Sequence, residues 1–315
     1  MKPYAFGVDI GGTTIKMGFF SSDGKFIDHW EIPTHTENNG EKVLPDIARS
    51  IKKKLKDNSI TLDDLEGVGV GVPGPVLSDG VVNKCVNLGW DVVDVRKKLS
   101  SLLDGVYVEV GNDANVAALG EQWNGGGKGH DNVVMVTLGT GVGGGIILGG
   151  RILAGANGAA GEIGHMKVSD KETAVCGCGK KGCLEQYSSA TGVVRLANLS
   201  LAANPSVETP LRDLDPITAK DVFDYAKTGD EFSLSIVDIV GKMLGEAIAH
   251  ITCVVDPDVI VIGGGVSKAG QILLDAIEKH YRPAAFHASR DVDFKLAVLG
   301  NEAGMYGAVR MVLTD

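Results

Sequence analysis

One pattern occurs twice in this chain, and it leaves few folds open. Residues 4–9 read as a buried strand, the turn Gly11-Gly12-Thr13-Thr14 follows, and Ile15–Phe20 reads as a second strand. The same sequence of strand, glycine turn and strand returns at Val133–Leu138, Thr140–Gly145 and Ile146–Leu148. The two copies share no obvious sequence repeat, so the duplication is one of architecture. It predicts two related α/β domains with a cleft between them. The junction falls near 112–130. The smaller domain is expected to take 1–115 and about 300–315, the larger 116–299.

The remaining elements fit that plan. Ser21-Ser22-Asp23-Gly24 is a hairpin turn into the strand Phe26–Ile32. Val43, Leu44, Ile47, Ile51 and Leu55 make one apolar helical face. The strand Gly67–Val72 ends at Pro73-Gly74-Pro75, and the strand Val106–Val110 ends at Gly111-Asn112-Asp113. Ala114–Trp123 reads as a helix, and another helical region begins near Ser188. Leu234, Val237, Gly241, Leu244, Ile248 and Ile251 form a long buried helical stripe. The strand Val259–Ile262 runs into Gly263-Gly264-Gly265, and Gly300–Leu313 closes the chain as a helix.

Composition narrows the partners. A net charge of −10 argues against nucleic acid or an anionic membrane surface. No apolar stretch approaches the roughly 20 residues of a membrane span. Met1-Lys2-Pro3 leads directly into a short apolar run, far too short for a secretory signal. Cys85 and Cys253 sit in apolar sequence and read as buried free thiols, so a cytoplasmic location is expected.

Three strand-end turns carry glycine and small polar residues: Gly11 to Thr14 after Asp9, Gly139 to Gly144, and Gly263 to Gly265. Glycine lets backbone N–H groups approach an anion, and threonine hydroxyls add donors. Asp9 cannot bind phosphate directly but can hold a hydrated Mg²⁺. For one such turn an ordinary hairpin is the commoner explanation. Three of them beside a cleft favour a nucleotide. Gly139-Thr140-Gly141-Val142-Gly143-Gly144 spells G-x-G-x-x-G, but the strand Ile146–Leu148 follows where a dinucleotide fold needs a helix. No G-x-x-x-x-G-K-[ST] loop occurs.

The segment 161–187 holds His165, Cys176, Cys178 and Cys183, separated by glycines and lysines, with Glu162 and Glu185 on either side. Reduced cysteines on a turn and a disulfide are the alternatives to a metal. A Cys-x-Cys pair seldom meets disulfide geometry. A Cys3His set at this spacing favours a closed, structural Zn²⁺ site that orients the two glutamates. One ring nitrogen of His165 would then remain for a ligand.

Asp113 stands where a strand passes into a helix. By itself it reads equally well as a helix N-cap. With Asn112 and Asn115 beside it, the cluster offers the donors and acceptors a polyhydroxylated ligand needs, and Asp113 is placed to take a hydroxyl proton.

Asp9–Thr14, Gly71–Pro75, Asn87-Leu88-Gly89-Trp90, Asn112–Asn115, Thr137–Gly145, Glu162–His165 and Cys176–Glu185 resemble the ROK family of bacterial sugar kinases and repressors over essentially the whole chain. The Asn-Leu-Gly-Trp and Asn-Asp-Ala-Asn segments are most similar to its glucokinases. The resemblance implies an actin-like ATPase fold, built of two ribonuclease-H-like domains, and phosphorylation of a hexose by MgATP. It implies Asp113 as the base and Gly74, Asn112, Glu162, His165 and Glu185 as sugar contacts. It implies Asp9, Gly11, Gly12, Thr13, Thr14, Thr140, Gly141 and Gly143 around the phosphates and metal, and Gly263, Gly264 and Gly265 at the adenosine. Zinc would sit on His165, Cys176, Cys178 and Cys183. Glucose is the expected acceptor, with N-acetylmannosamine, fructose or allose as alternatives, and a dimer or tetramer is the expected assembly. A sugar-responsive repressor is the rival reading. With the first turn beginning at Asp9, no room is left for an N-terminal winged-helix domain.

Overall fold

A computed structural model describes residues 2–313. Among the described residues, twelve strands form two five-stranded sheets and one two-stranded ribbon. β1 (Tyr4–Ile10), β2 (Thr14–Ser21), β3 (Phe26–Pro33), β4 (Leu65–Val72) and β7 (Val108–Asn112) make the first sheet, in the order β3-β2-β1-β4-β7. β5 (Val81–Cys85) and β6 (Trp90–Asp94) form the ribbon. β8 (Val133–Leu138), β9 (Val142–Leu148), β10 (Arg151–Ile152), β11 (Val259–Gly263) and β12 (Asp293–Leu296) make the second sheet, in the order β10-β9-β8-β11-β12. Strand for strand the two orders are the same: a hairpin and its outer strand on one side, two parallel strands on the other. This is the doubled arrangement of the actin-like ATPase fold.

The chain divides into two compact units: 1–129 with 145–161 and 298–315, and 130–144 with 162–297. The expected boundary at 115/116 falls inside the helix Asp113–Asn124, which packs on the C-terminal helix Ala303–Val312 and stays with the first unit. Residues 145–161 also belong to that unit, an excursion without a composition signal.

Glycine spacing explains how the first unit closes. Leu65-Glu66-Gly67-Val68-Gly69-Val70-Gly71-Val72 alternates with the period of a strand. Its valines join Phe6, Val8, Ile47 and Ile51 in a core under the helix Val43–Asp57. Its glycines face the opposite way. A Cβ on Gly69 would lie 1.7 Å from the carbonyl oxygen of Ala308, so the C-terminal helix rests directly on strand backbone. The same helix touches the Asp113 helix, where a Cβ on Gly307 would lie 1.7 Å from the carbonyl oxygen of Val116.

Several boundaries differ from the sequence reading. The third central strand runs Val108–Asn112, two residues later than expected, so Asn112 ends it. β9 begins at Val142, which moves Gly143 out of the turn and into the strand. The Gly300–Leu313 helix is a short 3₁₀ turn at Gly300–Glu302 followed by helix from Ala303. In the long helix Glu231–Val255, Leu234 is 40 % exposed while Val237, Leu244, Ile248 and Ile251 are buried. Cys253 is exposed as well, because burial of Ile251 and Thr252 turns the next position on the helix outward. Cys85 is buried as expected. Among the described residues no helix is long and apolar enough to cross a membrane.

Gly307→Ala should cost about 3 kcal/mol or more, since two backbones must separate to admit the methyl group. Chemical denaturation against wild type measures it, and an unchanged midpoint would contradict the tight helix contact.

Candidate active site

Candidate site residues of each unit gather where parallel strands end, the edge at which ligands meet open α/β sheets. In the first sheet β1, β4 and β7 run parallel, with Asp9 opposite Gly71 and Val72 opposite Asn112. Register alone therefore brings Asp9, Gly74 and Asp113 to one edge. The turn after β1 is Gly11-Gly12-Thr13, tied by a Gly11 N–H to Thr14 carbonyl bond of 3.0 Å. Thr34 supports it from behind: its N–H donates to the Thr13 carbonyl at 2.9 Å and its hydroxyl to the Gly11 carbonyl at 2.7 Å. Gly12 and Thr13 are exposed.

The capping question at Asp113 has a clear answer. Asn112 is the N-cap, its Oδ1 accepting from Ala114 N–H at 3.0 Å and Asn115 N–H at 3.2 Å. Its Nδ2 donates to the Gly74 carbonyl at 3.1 Å and to Asp113 Oδ1 at 3.0 Å. Asp113 Oδ1 also accepts from Ala114 N–H at 2.9 Å. Asn112 thus secures the helix end, the Pro73-Gly74-Pro75 loop and the Asp113 carboxylate together. All the hydrogen atoms of its amide are used in doing so, which argues for orientation of Asp113 over a direct sugar contact.

Asp9 has Lys16 across the strand pair, Nζ to Oδ2 3.9 Å, and Lys16 also donates to the Asn301 carbonyl at 3.1 Å. Burial pushes the Asp9 carboxyl up from its ordinary 3.8 to about 6; Lys16 opposes the rise and the charge of Asp113 adds to it. Lys16 and Thr34 were missed from sequence. Lys16 sits in strict alternation opposite Asp9 once the hairpin register is known.

In the second unit the turn after β8 is Gly139-Thr140-Gly141, three residues like its counterpart. Glu185 is fixed beside it: Oε2 accepts from Val142 N–H at 3.0 Å. A Cβ on Gly141 would fall 2.2 Å from that oxygen, so the glycine is needed for this contact. β8 and β11 are parallel neighbours, so Gly263, Gly264 and Gly265 end at the same edge as Thr140, with Gly264 at φ +86°. Beside Gly265 lies a cavity of about 340 Å³ lined by Ala190, Thr218, Phe223, Lys227 and Lys268. Its size suits a small cofactor.

The ligand atoms of His165, Cys176, Cys178 and Cys183 all lie within 4.8 Å of one another. Cys178 and Cys183 sulfurs are 3.6 Å apart, and Cys176 Sγ is 3.8 Å from His165 Nδ1. A tetrahedral zinc with thiolates at about 2.3 Å has edges of about 3.7 Å. His165 Nε2 faces away, 3.9 Å from Glu162 Oε2. Cys176 Sγ also lies 3.8 Å from Glu185 Oε1, so the cysteine cluster adjoins a carboxylate already held by the glycine turn. Gln186 braces the loop, its Oε1 accepting from Gly182 and Cys183 N–H at 2.9 and 3.0 Å and its Nε2 donating to the Ala174 carbonyl at 3.0 Å. Glu172 pairs with Arg195 behind it. Neither support carries a motif that sequence reading could find.

The model of the ROK family matches residues 5–315. A glucokinase of Halalkalibacterium halodurans is 45 % identical over 306 residues, 96 % of this chain and 92 % of that one. A glucokinase of Thermotoga maritima is 34 % identical, covering 97 % and 96 %. A crystal structure of a ROK family glucokinase from Streptomyces griseus in complex with glucose and AMPPNP superposes with a TM-score of 0.74 at 33 % identity, covering 98 % of both chains.

Asp9 sets a pH signature for the free protein. A carboxyl raised in the native state favours folding below its unfolded pKa of 3.8, and that stability is lost as pH rises through about 6. At neutral pH the ionised Asp9 therefore costs about 3 kcal/mol. Asp9→Asn should melt about 5 °C above wild type at pH 7.5, with the gap closing toward pH 4. Equal melting of the two proteins at both pH values would contradict the burial of this charge.

Proposed function

This chain belongs to the ROK family, and we propose that it is an ATP-dependent glucokinase that transfers the γ-phosphoryl group of ATP to the 6-hydroxyl of D-glucose. The observation that carries the chemistry is the division of labour at the end of β7. Asn112 takes the cap, so Asp113 presents a carboxylate at the strand edge shared with Asp9. The choice of glucose rests on similarity to glucokinases.

Asp113 accepts the proton of the sugar 6-hydroxyl as that oxygen attacks the γ-phosphorus. The new O–P bond forms as the bond to the β–γ bridging oxygen breaks, and ADP leaves with that electron pair. Most of the acceleration in phosphoryl transfer comes from positioning and charge stabilisation. The N–H groups of the Gly11-Gly12-Thr13 and Gly139-Thr140-Gly141 turns, with the threonine hydroxyls, are the phosphate donors. Mg²⁺ with its water shell would be held by Asp9, whose charge the metal stabilises. The adenosine takes the cavity beside Gly265. Glu162, His165 through Nε2, and Glu185 bond the remaining hydroxyls. No arginine stands among these residues, so a neutral sugar suits them better than a sugar acid.

His165 Nδ1, Cys176, Cys178 and Cys183 would hold a structural Zn²⁺. Four protein ligands leave no open position, so such a metal would supply rigidity and no catalytic water. With it bound, the His165 ring, and through Cys176 and the loop the direction of Glu185, would be fixed.

The direct test is ADP release with glucose, N-acetylmannosamine, fructose and allose, with Asp113→Asn as control. Glucose should give the highest kcat/KM. Asp113→Asn should lower kcat on the order of 10²–10⁴ while glucose affinity stays within a few-fold. Another hexose ahead of glucose overturns the substrate assignment alone; near wild-type kcat in the variant overturns the base.

Metal analysis of protein purified without chelator should find one zinc per chain. Cys178→Ser should lose it and raise KM for glucose about tenfold. Protein without zinc contradicts the metal site, and an unchanged KM in the zinc-free variant uncouples it from the sugar.

A further inference from the structure

Glu121 takes no part in the chemistry above, yet none of its surface reaches solvent. A buried carboxylate needs donors to replace water. Glu121 has three, all from the backbone. Gly126 N–H donates to Oε2 at 2.8 Å, Leu299 N–H to Oε1 at 2.8 Å, and Val298 N–H is shared between the two oxygens at 3.1 and 3.0 Å. The Glu121 carbonyl also accepts from Gly125 and Gly127 N–H at 3.0 and 2.9 Å. The locations of these partners are informative. Gly126 lies in the stretch that ends the first unit at Gly129, and Val298 is the residue at which the chain returns to it.

We propose that Glu121 is a positioning residue for the phosphoryl transfer, fastening the outgoing and returning passages of the chain to the helix that begins with Asp113. The link between Glu121 and the two acids runs along covalent connections within the first unit. Leu299 leads through the turn Gly300–Glu302 into the C-terminal helix. Gly304 of that helix lies against Asp9, where a Cβ would come 2.5 Å from the Asp9 Cγ. Glu121 is on the Asp113 helix itself. Its two oxygens therefore set the register between the helix carrying the base and the helix packed on the metal-binding carboxylate. Gly120 and Gly307 let those helices touch but, having no side chains, leave sliding unopposed; directional hydrogen bonds from Glu121 supply the stop. A glutamine of the same size has one acceptor oxygen, and its NH₂ would oppose a backbone N–H.

The proposal rests on the kinase reading, and one set of measurements separates the two. Glu121→Gln and wild type are compared at a temperature well below either melting point. The readouts are glucose binding by calorimetry, kcat with glucose and MgATP, and amide exchange in peptides covering 124–130 and 296–302. We expect glucose Kd within about threefold of wild type, kcat reduced tenfold or more, and faster exchange in both peptides. A variant with lowered melting temperature but wild-type kcat overturns the positioning role. Should Glu121→Gln not fold, wild-type exchange decides: unprotected amides at Gly126, Val298 and Leu299 overturn the proposal, and strong protection joined to a kcat loss in Glu121→Asp supports it. A wild type that releases no ADP with any hexose overturns the kinase reading and this one with it. An active wild type with an equally active variant overturns this one alone.

Discussion

The first unit depends on backbone meeting backbone where side chains would ordinarily stand. The C-terminal helix lies directly on β1 and β4, and the Asp113 helix lies directly on the C-terminal helix. At Gly7, Gly69 and Gly307 a single methyl group would overlap a carbonyl oxygen. Without that approach the sheet's parallel strands would still pair, but the Asp113 helix would stand several ångströms further off. Asp9 and Asp113 come from elements more than a hundred residues apart. Strand register supplies one coordinate of their relation and helix packing the other.

The second unit meets the same demand differently. Its sheet has the same strand order, but its polar residues sit on a loop with little regular structure, Glu162 to Glu185. Backbone bridges there are few: Lys167 with Cys183, and Val175 with Lys181. Such a segment has too little apolar burial to fix side-chain directions within the tolerance catalysis needs. Polar side-chain contacts take over that task. The Gln186 brace and the Glu172–Arg195 pair converge on this loop, and Glu185 is held by the Val142 N–H beside Cys176. A zinc on the cysteine and histidine cluster, as proposed above, would add a further tie at the same place.

Legibility followed the range of the interaction. Strand, turn, strand units showed because their signal is local alternation ended by glycine, and both hairpins are present, the second with a shorter turn and a strand that starts four residues earlier than its apolar run. The cysteine and histidine cluster showed because its residues are chemically distinctive and close in the chain. Asp113 was found, but its partner role with Asn112 was not, since capping is a matter of one residue's offset and β7 runs two residues later than its apolar pattern suggests. Lys16, Thr34, Gln186 and Glu121 were missed for a common reason. Each is an ordinary polar residue whose meaning comes from what tertiary structure sets against it. The extent of the first unit was illegible on the same ground: it continues to Gly129, inside the expected junction, and its excursion at 145–161 is defined by contacts, with no change in composition. Cys253 read as buried because apolar neighbours in sequence are not neighbours on a helix.

Two carboxylates of the first unit, Glu121 and Asp9, are held away from water in different ways. Both are largely withdrawn from water. Glu121 has three backbone N–H donors that cannot leave while the fold persists, so both of its oxygens are matched by groups of fixed direction. Asp9 has one lysine at 3.9 Å, shared with a carbonyl, and a second carboxylate whose charge works against it. Burial, only partly offset by Lys16, pushes its carboxyl up to about 6. A site meant only for stability would be expected to complete Asp9 as it completes Glu121, or to replace it with an apolar residue. The deficit at Asp9 is one that the hydrated Mg²⁺ proposed for this carboxylate would fill. The same shortage of donors that destabilises the free protein would then favour a metal-bound nucleotide.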